Sequence, residues 1–517
     1  MKEIIYIQAG SLSNYVGTHF WNAQQSYFTY DEDEPVLINH DVSFREGMSP
    51  EGQSTFCPRL LQFDRKSNFG ALSTENQLYR ELQQEADAAP LWSGPVDEIR
   101  QDPIPGSSYQ TQLDEEVDEE PAELKRNAGK VPAVPSLQSS DVRYWSDFNR
   151  VYYLPRSVHK LPDPADWENA EGDWNSGREA FQRYEVDDAL LEDSFRLFVE
   201  ECDTFQGLQL QADSDSFGAF SISFLTAFRD EYPKVSSLAF PVLCAAVPGD
   251  IDLDDARGTR NAFNDALLFR ALNELSTMNI PLQNPRLWTT GSWSDGFEST
   301  LRTPYETSAI LSAHIETATL PLRLKEPEPL FRLCNRLDLY GNTPFVELSG
   351  AFPEALDPRA THNYTHPEAE KPVFEWSVTR GLTEHEQQQF DDARTSLSVP
   401  FSSLHASVPY PLPSSYPSFF RRPDLNAVSK RTSRGIYTRP RTAPLVSSLG
   451  LSNALPEMFS RYTAFVDTCV RRRTGWQGVG IDEDDARELR DSLWVLRDNY
   501  GDAEASGDDL GEDEDAS

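Results

Sequence analysis

Long hydrophobic runs, paired cysteines and basic residues are all scarce in this chain of 517 residues. No run of about eighteen apolar residues occurs, so the sequence predicts no membrane-spanning helix. The five cysteines are widely scattered and form no C-x-x-C pair. This spacing predicts buried, reduced thiols rather than disulfides or a zinc site.

Positive charge is in large deficit. Lysine and arginine number 46 against 84 acidic residues, which gives a formal net charge of −38. Such a chain is repelled by nucleic acid and by anionic lipid, so protein partners are the better expectation. The N-terminus has neither the apolar core of a signal peptide nor the Arg-rich character of a mitochondrial presequence, and we expect no cleaved leader.

Two segments have the composition of disordered chain. The first is an insertion at about 84–141 that is rich in Pro, Ser, Gln and acid and contains "LDEEVDEEPAELK". The second is the tail at 501–517, which holds eight acidic residues and no basic one. Neither segment shows the sustained hydrophobic period that a packed element requires.

The remaining sequence alternates between strand and helix patterns. The opening "MKEIIYIQAGSLSNYVGTHFW" has an apolar run at 4–7, a break at Gly10 and helical spacing afterwards, which indicates strand, tight loop and helix. Further predicted elements are strands at 58–64, 207–213 and 235–247 and helices at 186–203, 219–233, 305–320, 454–472 and 482–500. The part from Pro353 to Pro444 is expected to be mostly loop with short elements. This order predicts a mostly parallel sheet with ligands at the carboxyl ends of its strands.

These residues resemble tubulin and, within its superfamily, the divergent Misato branch. "CPRLLQFD" resembles a nucleotide-side strand of tubulin, "ECDTFQGLQL" and "RDEYP" resemble the flanks of its glycine-rich loop, and "FNDALLFRAL" resembles a helix start. The opening segment shares with tubulin Glu3, Ile4, Ile7, Gln8, Ala9, Gly10, Asn14, Gly17, Phe20 and Trp21. The resemblance covers both ends and the middle of the chain, and it covers the insertion and about 284–446 poorly.

The resemblance implies a tubulin-like α/β fold in several parts. We expect a Rossmann-type N-terminal domain with a mostly parallel sheet over 1–280, which carries the insertion. A divergent α+β intermediate domain with loops would follow over 281–445. C-terminal helices over 446–500 and the acidic tail over 501–517 would complete the chain.

A vestigial nucleotide site is also implied. Its residues would be Gly10, Ser11, Asn14, Asp64, Gly218 and Asn264. Asn14 and Asn264 have two alternative roles: they contact a nucleotide base, or they cap helices. Tubulin's GGGTGSG is replaced here by "QADSDSFGAFSISFLTAF", in which one glycine remains.

The replaced loop has lost the features that hold a polyphosphate. Phe217 is bulky, and Asp213 and Asp215 bring negative charge that only a bridging cation or protonation relieves. No GxxNxxD catalytic loop is visible. We therefore expect no GTPase activity and no resident cofactor, with GTP binding weak or lost.

Two other groups of residues have alternative interpretations. His362 and His366 have a spacing that on a helix holds zinc with Glu368, but Pro367 favours a solvated loop and we expect no metal. A basic segment is either a solvated loop or a docking surface for an acidic partner, with Phe419, Phe420 and Tyr437 adding apolar contact. Its basic residues are Arg421, Arg422, Lys430, Arg431, Arg434, Arg439 and Arg441.

The Misato resemblance implies a non-enzymatic role in partitioning mitochondria and inheriting mitochondrial DNA. The protein would be peripheral to the mitochondrion without a presequence, with the cytoplasm as the alternative location. Its partners would be tubulin, the cytosolic chaperonin or mitochondrial surface proteins. Two rival functions remain, a tubulin assembly factor working with the chaperonin and a GTP-binding protein that forms polymers.

Overall fold

A computed structural model gives the structure of this chain. It describes residues 2–28, 37–48, 54–72, 104–111, 139–163, 173–215, 217–245, 252–288, 291–298, 301–352, 361–366, 372–396, 399–421, 430–432, 435–437 and 441–508.

The described elements alternate between strands and helices along the chain. The strands are β1 (Glu3–Ala9), β2 (Phe44–Met48), β3 (Ser54–Pro58), β4 (Leu60–Arg65), β5 (Val158–Leu161), β6 (Phe205–Asp213), β7 (Ser236–Leu243), β8 (Met278–Asn279), β9 (Leu282–Gln283), β10 (Glu347–Ala351), β11 (His362–Asn363), β12 (Pro372–Arg380), β13 (Phe401–Ala406), β14 (Tyr410–Leu412), β15 (Lys430–Thr432), β16 (Gly435–Tyr437), β17 (Arg441–Ala443) and β18 (Leu445–Ser452). The helices are α1 (Ser11–Gln25), α2 (Trp174–Asp188), α3 (Arg196–Glu200), α4 (Gly218–Glu231), α5 (Ala256–Leu275), α6 (Pro304–Ala318), α7 (Leu330–Leu337), α8 (Glu384–Thr395), α9 (Ala454–Arg472) and α10 (Glu483–Asp508).

A parallel sheet of seven strands forms the first layer. Its order is β5-β4-β1-β6-β7, with β8 and β9 both pairing with β7. Strand β1 is buried along its whole length, as its unbroken apolar run predicts for a parallel strand that is covered on both faces. Ile4 and Tyr6 point into one core, which includes α1 and α6, and Ile5 and Ile7 point into the other, which includes α4, α5, α9 and α10. The predicted α/β fold with a mostly parallel sheet is confirmed.

A second sheet follows in the order β11-β10-β18-β12-β13. It is antiparallel except for the β12–β13 pair. The part from Pro353 to Pro444, predicted to be mostly loop with short elements, contains two longer ones, the nine-residue β12 and the twelve-residue α8. Strand β18 lies between β10 and β12, so the predicted domain boundary at 445/446 cuts through this sheet.

The predicted helix at 186–203 is not one helix. Helix α2 ends before Ala189, whose φ of 44° is left-handed, and a π-helical turn (Leu190–Phe195) precedes α3. The wider turn changes which residues face inward, so Leu197 is 39% exposed whereas Phe195 and Phe198 are fully buried. An uninterrupted α-helix would instead place Leu197 on the same face as the buried Leu190, two turns earlier.

Both predicted disordered segments are partly ordered. Within the insertion, Tyr109 is 1% exposed and its hydroxyl shares a hydrogen bond with that of Ser414 at 2.8 Å, so residues 104–111 pack on the fold. Ser139 donates to Glu306 at 2.8 Å. Helix α10 continues to Asp508, into the predicted tail. The rest of the insertion within 84–141, and residues 509–517, lie outside the described residues.

The five cysteines are free thiols, as predicted, and three of them are buried while Cys202 and Cys244 are half-buried. Across the described part of the chain, no helix combines the length and the apolar character that crossing a bilayer requires.

A buried, neutral histidine links α1 to α6 and should make the free energy of unfolding depend on pH. The Nε2 of His19 donates to the carbonyl oxygen of Tyr305 at 2.9 Å, and burial lowers the pKa of His19 to about 3. The unfolded chain binds this proton near pH 6.5, so the stabilising contribution is lost as the pH falls from 6.5 towards 3.

We therefore expect the stability advantage of the wild type over His19→Asn, which does not titrate, to shrink by about 2 kcal/mol from pH 7 to pH 5. Urea unfolding at the two pH values measures the difference. An advantage that stays constant with pH would contradict the buried neutral state.

Candidate functional site

The topology of the first sheet creates a crevice beside β1. From β1 the chain passes to β4 and β5 on one side, and it then crosses to β6 on the other side. The strand order therefore reverses between β1 and β6. In open α/β sheets, ligands bind outside the carboxyl ends of the strands at such a point.

The carboxylate of Asp213 fills this crevice. It lies at the end of β6, where its Oδ2 accepts the backbone N–H of Leu12 at 2.9 Å. Its Oδ1 accepts both the backbone N–H of Ser13 at 2.9 Å and the hydroxyl of Ser13 at 2.7 Å. These donors belong to the first turn of α1. The N-terminus of a helix attracts anions, and here the anion comes from the chain itself.

Gly10 makes this contact sterically feasible. It precedes α1 with a φ of 105°, a conformation that favours glycine, and an added Cβ would lie 2.5 Å from an oxygen of Asp213. The glycine that the resemblance assigned to phosphate binding thus allows the close approach of an internal carboxylate.

Several interactions shift the pKa of Asp213 in opposite directions. Burial raises the pKa of Asp213, and the charge of Asp215 raises it further. The two amides and the hydroxyl that donate to it lower the pKa, but burial and Asp215 outweigh them, so the pKa of Asp213 lies well above that of a free aspartate. Geometry with donors on both oxygens fits a carboxylate.

The start of α4, where the resemblance places the second group of phosphate contacts, is packed with aromatic rings. Gly218 begins α4, but an added Cβ there would lie 3.3 Å from the ring of Trp174. Phe217 precedes it, is buried, and has the guanidinium of Arg65 5.5 Å from its ring centre. With α1 occupied by Asp213 and α4 packed against rings, the residues present do not fit a nucleotide triphosphate held in the manner of tubulin.

Asp64 and Asn14 also form an internal network. The Oδ2 of Asp64 accepts the indole N–H of Trp145 at 2.9 Å and the amide of Asn14 at 3.3 Å. The amide of Asn14 also donates to the carbonyl oxygen of Phe63 at 2.8 Å. Burial raises the pKa of Asp64 to about 6. Asn14 therefore links α1 to β4, and its assignment to a base stays a prediction.

Asn264 has a comparable position on α5. It is fully buried, and its amide donates to the carbonyl oxygen of Asp215 at 3.3 Å. Both Asn14 and Asn264 therefore bind parts of the chain itself, and neither is the N-cap of a helix.

The neighbouring Asp265, which was not among the predicted site residues, accepts four hydrogen bonds. It accepts hydrogen bonds from the backbone N–H groups of Cys244 and Ala245 and from the hydroxyls of Ser214 and Tyr462. Sequence reasoning had missed this residue and the capping role of Asp213. For Asp213 the available signal was its place at the carboxyl end of an apolar strand, whereas no local pattern marked Asp265 in the middle of α5.

A cleft of about 190 Å³ remains outside Asp213. Ser11 and Leu12 of α1 line one side, and Thr303 and Thr307 at the start of α6 line another. Of the six predicted site residues only Ser11 lines this cleft, since Gly10, Asn14, Asp64, Gly218 and Asn264 do not. The volume is below the 300–1,000 Å³ or so of ordinary ligand pockets.

The predicted basic docking segment is only partly described. Arg441 is buried and donates to the carbonyl oxygen of Pro413 at 2.7 Å, so its assignment to partner binding is wrong. Phe419 and Phe420 are likewise core residues. Arg421 is exposed and donates to Phe297 O at 3.0 Å.

The remaining basic residues leave the docking interpretation untested. Lys430 and Arg431 belong to the hairpin of β15 and β16, in which the side chains are not described. Arg422, Arg434 and Arg439 lie outside the described residues.

The expected solvated loop at His362 and His366 is wrong, because both side chains are buried. His362 lies in β11 and stacks on Trp293 with ring centres 4.3 Å apart. No group of three or more potential metal ligands occurs within the described ranges.

Comparison with known proteins agrees with this architecture. Residues 2–115 match the family model "Misato Segment II tubulin-like domain", and residues 134–324 match "Tubulin domain". Protein DML1 of Gibberella zeae is 37% identical over 373 residues, which cover 69% of this chain and 69% of that protein. Protein dml1 of Aspergillus clavatus is 36% identical over 334 residues, or 63% of this chain and 61% of that protein.

The likeness extends to animals. Protein misato of Drosophila melanogaster is 31% identical over 360 residues, which cover 64% of this chain and 62% of that protein. The matched regions thus span between 61% and 69% of these three relatives. The chain belongs to the Misato family of tubulin-like proteins.

Proposed function

We propose that this chain is a non-enzymatic scaffold that takes part in partitioning mitochondria and inheriting mitochondrial DNA. It acts through protein partners at the mitochondrial surface, without a resident cofactor. One observation carries the non-enzymatic part: the Asp213 carboxylate accepts the amides at the start of α1 that a phosphate would otherwise need.

The geometry of α4 supports the same proposal. Phosphoryl transfer depends on positioning the phosphates and stabilising their charge. At α1 the N–H groups of Leu12 and Ser13 already donate to Asp213, and at α4 the ring of Trp174 lies 3.3 Å from where a Cβ on Gly218 would be. Two carboxylates, Asp213 and Asp215, also line the cleft and repel a polyphosphate.

The organelle part of the proposal is supported by the family resemblance. The net charge of −38 is consistent with protein partners, because direct contact with mitochondrial DNA or with anionic lipid would be repelled. The partners proposed are tubulin, the cytosolic chaperonin or proteins of the mitochondrial surface.

Depletion of the protein in its host cell tests the role. We expect uneven distribution of mitochondria and loss of mitochondrial DNA, with nuclear DNA segregating normally as the control. A tagged copy should co-purify with the mitochondrial fraction and be released by high salt. Normal mitochondrial distribution after complete depletion would refute the proposed role.

The purified protein tests the non-enzymatic part separately. Fluorescent GTP should show no saturable binding up to about 1 mM, with or without magnesium, a limit near −4 kcal/mol. Mass spectrometry of the denatured protein should detect no co-purified guanine nucleotide. Saturable binding together with assembly that depends on concentration would favour the polymer-forming alternative.

A further inference from the structure

Arg59 is a buried arginine with which no carboxylate of the described residues pairs. It lies between β3 and β4, where its backbone N–H donates to the carbonyl oxygen of Ser43 at 2.9 Å and its own carbonyl oxygen accepts from Tyr6 at 2.8 Å. The residue is 6% exposed, and its Nε and Nη1 have no hydrogen-bond partner within the described part of the chain. A charge buried in this way costs free energy unless another group supplies the opposite charge.

Arg59 belongs to a cluster of three arginines. Arg45 of β2 and Arg156, in the turn before β5, both bind one oxygen of Glu201, through Nε at 2.8 Å and through Nη2 at 2.6 Å. In the β2–β3 hairpin Arg45 pairs with Cys57, two positions before Arg59. Side chains two positions apart in extended chain point to the same side, so Arg45 and Arg59 share a face.

The turn after α3 is where the three arginines meet. Burial raises the pKa of the Cys202 thiol to about 11, and the neighbouring charge of Arg59 lowers it. Cys202 directly follows Glu201, which holds the other two arginines. Stacking also fixes Arg156, whose guanidinium lies 4.4 Å from the ring centre of Phe198. Arg59 therefore lies beside a turn that already binds two guanidinium groups.

The charges around this turn leave one positive charge without compensation. Three acidic residues act on the Cys202 thiol, of which Glu3 is buried, Glu201 is half-buried and Asp203 is exposed to water. Three arginines therefore face two poorly solvated carboxylates. One further carboxylate supplies the missing charge, and its two oxygens fit the fork of a guanidinium. A phosphoryl group carries about −1.5 to −2 at pH 7, and the acidic residues would repel it more strongly.

The cluster is open to solvent, and an apolar side chain lies next to it. The side chains of Arg45 and Arg156 are 31% and 22% exposed. Leu197 is 39% exposed and lies four residues before Glu201, so the two residues are neighbours on the surface of α3. A free carboxylic acid leaves Leu197 uncovered, whereas a peptide covers it together with the arginines. These features favour a carboxylate that belongs to a protein.

We propose that Arg59, with Arg45 and Arg156, binds a glutamate or aspartate side chain of a partner protein, while an apolar residue of that partner covers Leu197. This inference rests on the proposed function, because the ligand belongs to a protein partner. It gives the partner a chemistry, an acidic residue next to an apolar one. The site lies at the start of β4, at the opposite end of the first sheet from Asp213.

The first test compares a charged compound with its neutral counterpart. N-acetyl-leucyl-glutamate methylamide carries a carboxylate, and N-acetyl-leucyl-glutamine methylamide does not. By titration calorimetry on the full chain, we expect saturable, millimolar binding of the glutamate compound and none of the glutamine compound. Equal binding of both compounds, or binding of neither, would overturn the proposal.

Acetate and inorganic phosphate separate the kinds of ligand. Acetate should bind about fivefold more weakly than the glutamate compound, because it makes no apolar contact, and Leu197→Ser should remove this difference. Acetate that binds as tightly as the glutamate compound would overturn the assignment to a protein partner. Phosphate that binds more tightly than acetate would overturn the assignment to a carboxylate.

Two variants should change the affinity for the glutamate compound in opposite directions. Arg59→Met should weaken binding by about tenfold or more, since it removes the uncompensated charge. Glu201→Gln should strengthen binding by about threefold, because it removes the internal carboxylate that competes for Arg45 and Arg156. Glu200→Gln, which breaks an exposed pair with Arg196 on α3, should leave the affinity unchanged. Unchanged affinity in Arg59→Met, or weaker binding by Glu201→Gln, would contradict the proposed site.

Urea unfolding distinguishes a binding role of Arg59 from a structural one. Without ligand, Arg59→Met should have the same urea midpoint as the wild type or a higher one, because a buried charge without a partner destabilises the fold. The glutamate compound should raise the midpoint of the wild type and not that of Arg59→Met. A lower midpoint for Arg59→Met without ligand would show that Arg59 is paired inside the fold, and would overturn the proposal.

The results also separate this inference from the proposed function. Absence of binding by the glutamate compound would overturn the inference alone, since depletion tests the mitochondrial role independently. Normal mitochondrial distribution after depletion would refute the proposed role and would leave binding that depends on Arg59 as a measured property of the chain.

Discussion

Replacing Glu316 by glutamine is expected to lower the free energy of unfolding by about 3–5 kcal/mol, because it leaves two buried arginines without a counter-charge. Glu316 lies on α6, and its Oε2 accepts from Arg380 of β12 at 2.6 Å. Its Oε1 accepts from Tyr27 at 3.0 Å and from Gln24 of α1 at 2.9 Å, and it lies 3.5 Å from Arg323.

The size of the effect follows from burial. The side chains of Glu316, Arg323 and Arg380 are each 0% exposed, so water cannot solvate the arginines when the carboxylate is lost. This cluster connects α1, α6 and the second sheet. Its loss should therefore loosen the contact between the two sheets as well as the local packing.

A matched control is available on α9. Glu457 pairs with Arg461 at 2.7 Å, one turn away, and Glu457 is half exposed. Glu457→Gln should cost at most about 0.5 kcal/mol, the usual value of an exposed pair on a helix. Equal urea midpoints for Glu316→Gln and Glu457→Gln would show that the buried cluster does not hold the sheets together.

The second large effect is expected at Asp265, where asparagine should lower the free energy of unfolding by about 3 kcal/mol or more. Asp265 accepts backbone N–H groups from Cys244 at 3.1 Å and Ala245 at 2.8 Å, and hydroxyls from Ser214 and Tyr462. An amide group in place of one carboxylate oxygen would face two of these buried donors with a donor of its own.

Tyr462→Phe provides a graded comparison. It removes the hydroxyl that donates to Asp265 at 2.8 Å and leaves the other three donors in place, so we expect a loss of about 1 kcal/mol. The double variant should cost less than the sum, since both changes affect one network. Strict additivity of the two costs would contradict the proposed network.

The sequence predicted several strands and helices correctly because the local patterns in those segments were strong. The unbroken apolar run of β1 and the break at Gly10 predicted strand, loop and helix in the right places. Helix α9 was predicted with its observed ends, 454 and 472. In both cases hydrophobic period and the local chain signals agreed with the tertiary packing.

Elements that depend on partners distant in sequence were predicted less well. Strand β12 pairs with β18 some seventy positions later, for example Trp376 with Leu449, and no local pattern reveals that partner. The sequence indicated that Arg441 is a surface charge, yet its guanidinium donates a hydrogen bond to the carbonyl oxygen of Pro413 in the interior. A sequence gives residue types, whereas these outcomes depend on which residues the fold brings together.

The sequence indicated part of the chemistry of the candidate site, but only Ser11 of the six predicted residues lines the cleft. The acidic character of Asp213 and Asp215 was visible, and it argued against phosphate. The direct hydrogen bonds from Leu12 and Ser13 to Asp213 could not be predicted, because they join residues about two hundred positions apart. Only the structure shows that the carboxylate occupies the helix start.

The most direct test of the central claim is equilibrium dialysis against radiolabelled inorganic phosphate, comparing wild type, Asp213→Ala and the surface control Asp230→Ala. If the Asp213 carboxylate occupies the anion-binding start of α1, only Asp213→Ala should bind, with about one phosphate per chain at millimolar concentration. Phosphate binding by the wild type with the same affinity as Asp213→Ala, or no binding by a folded Asp213→Ala, would contradict it.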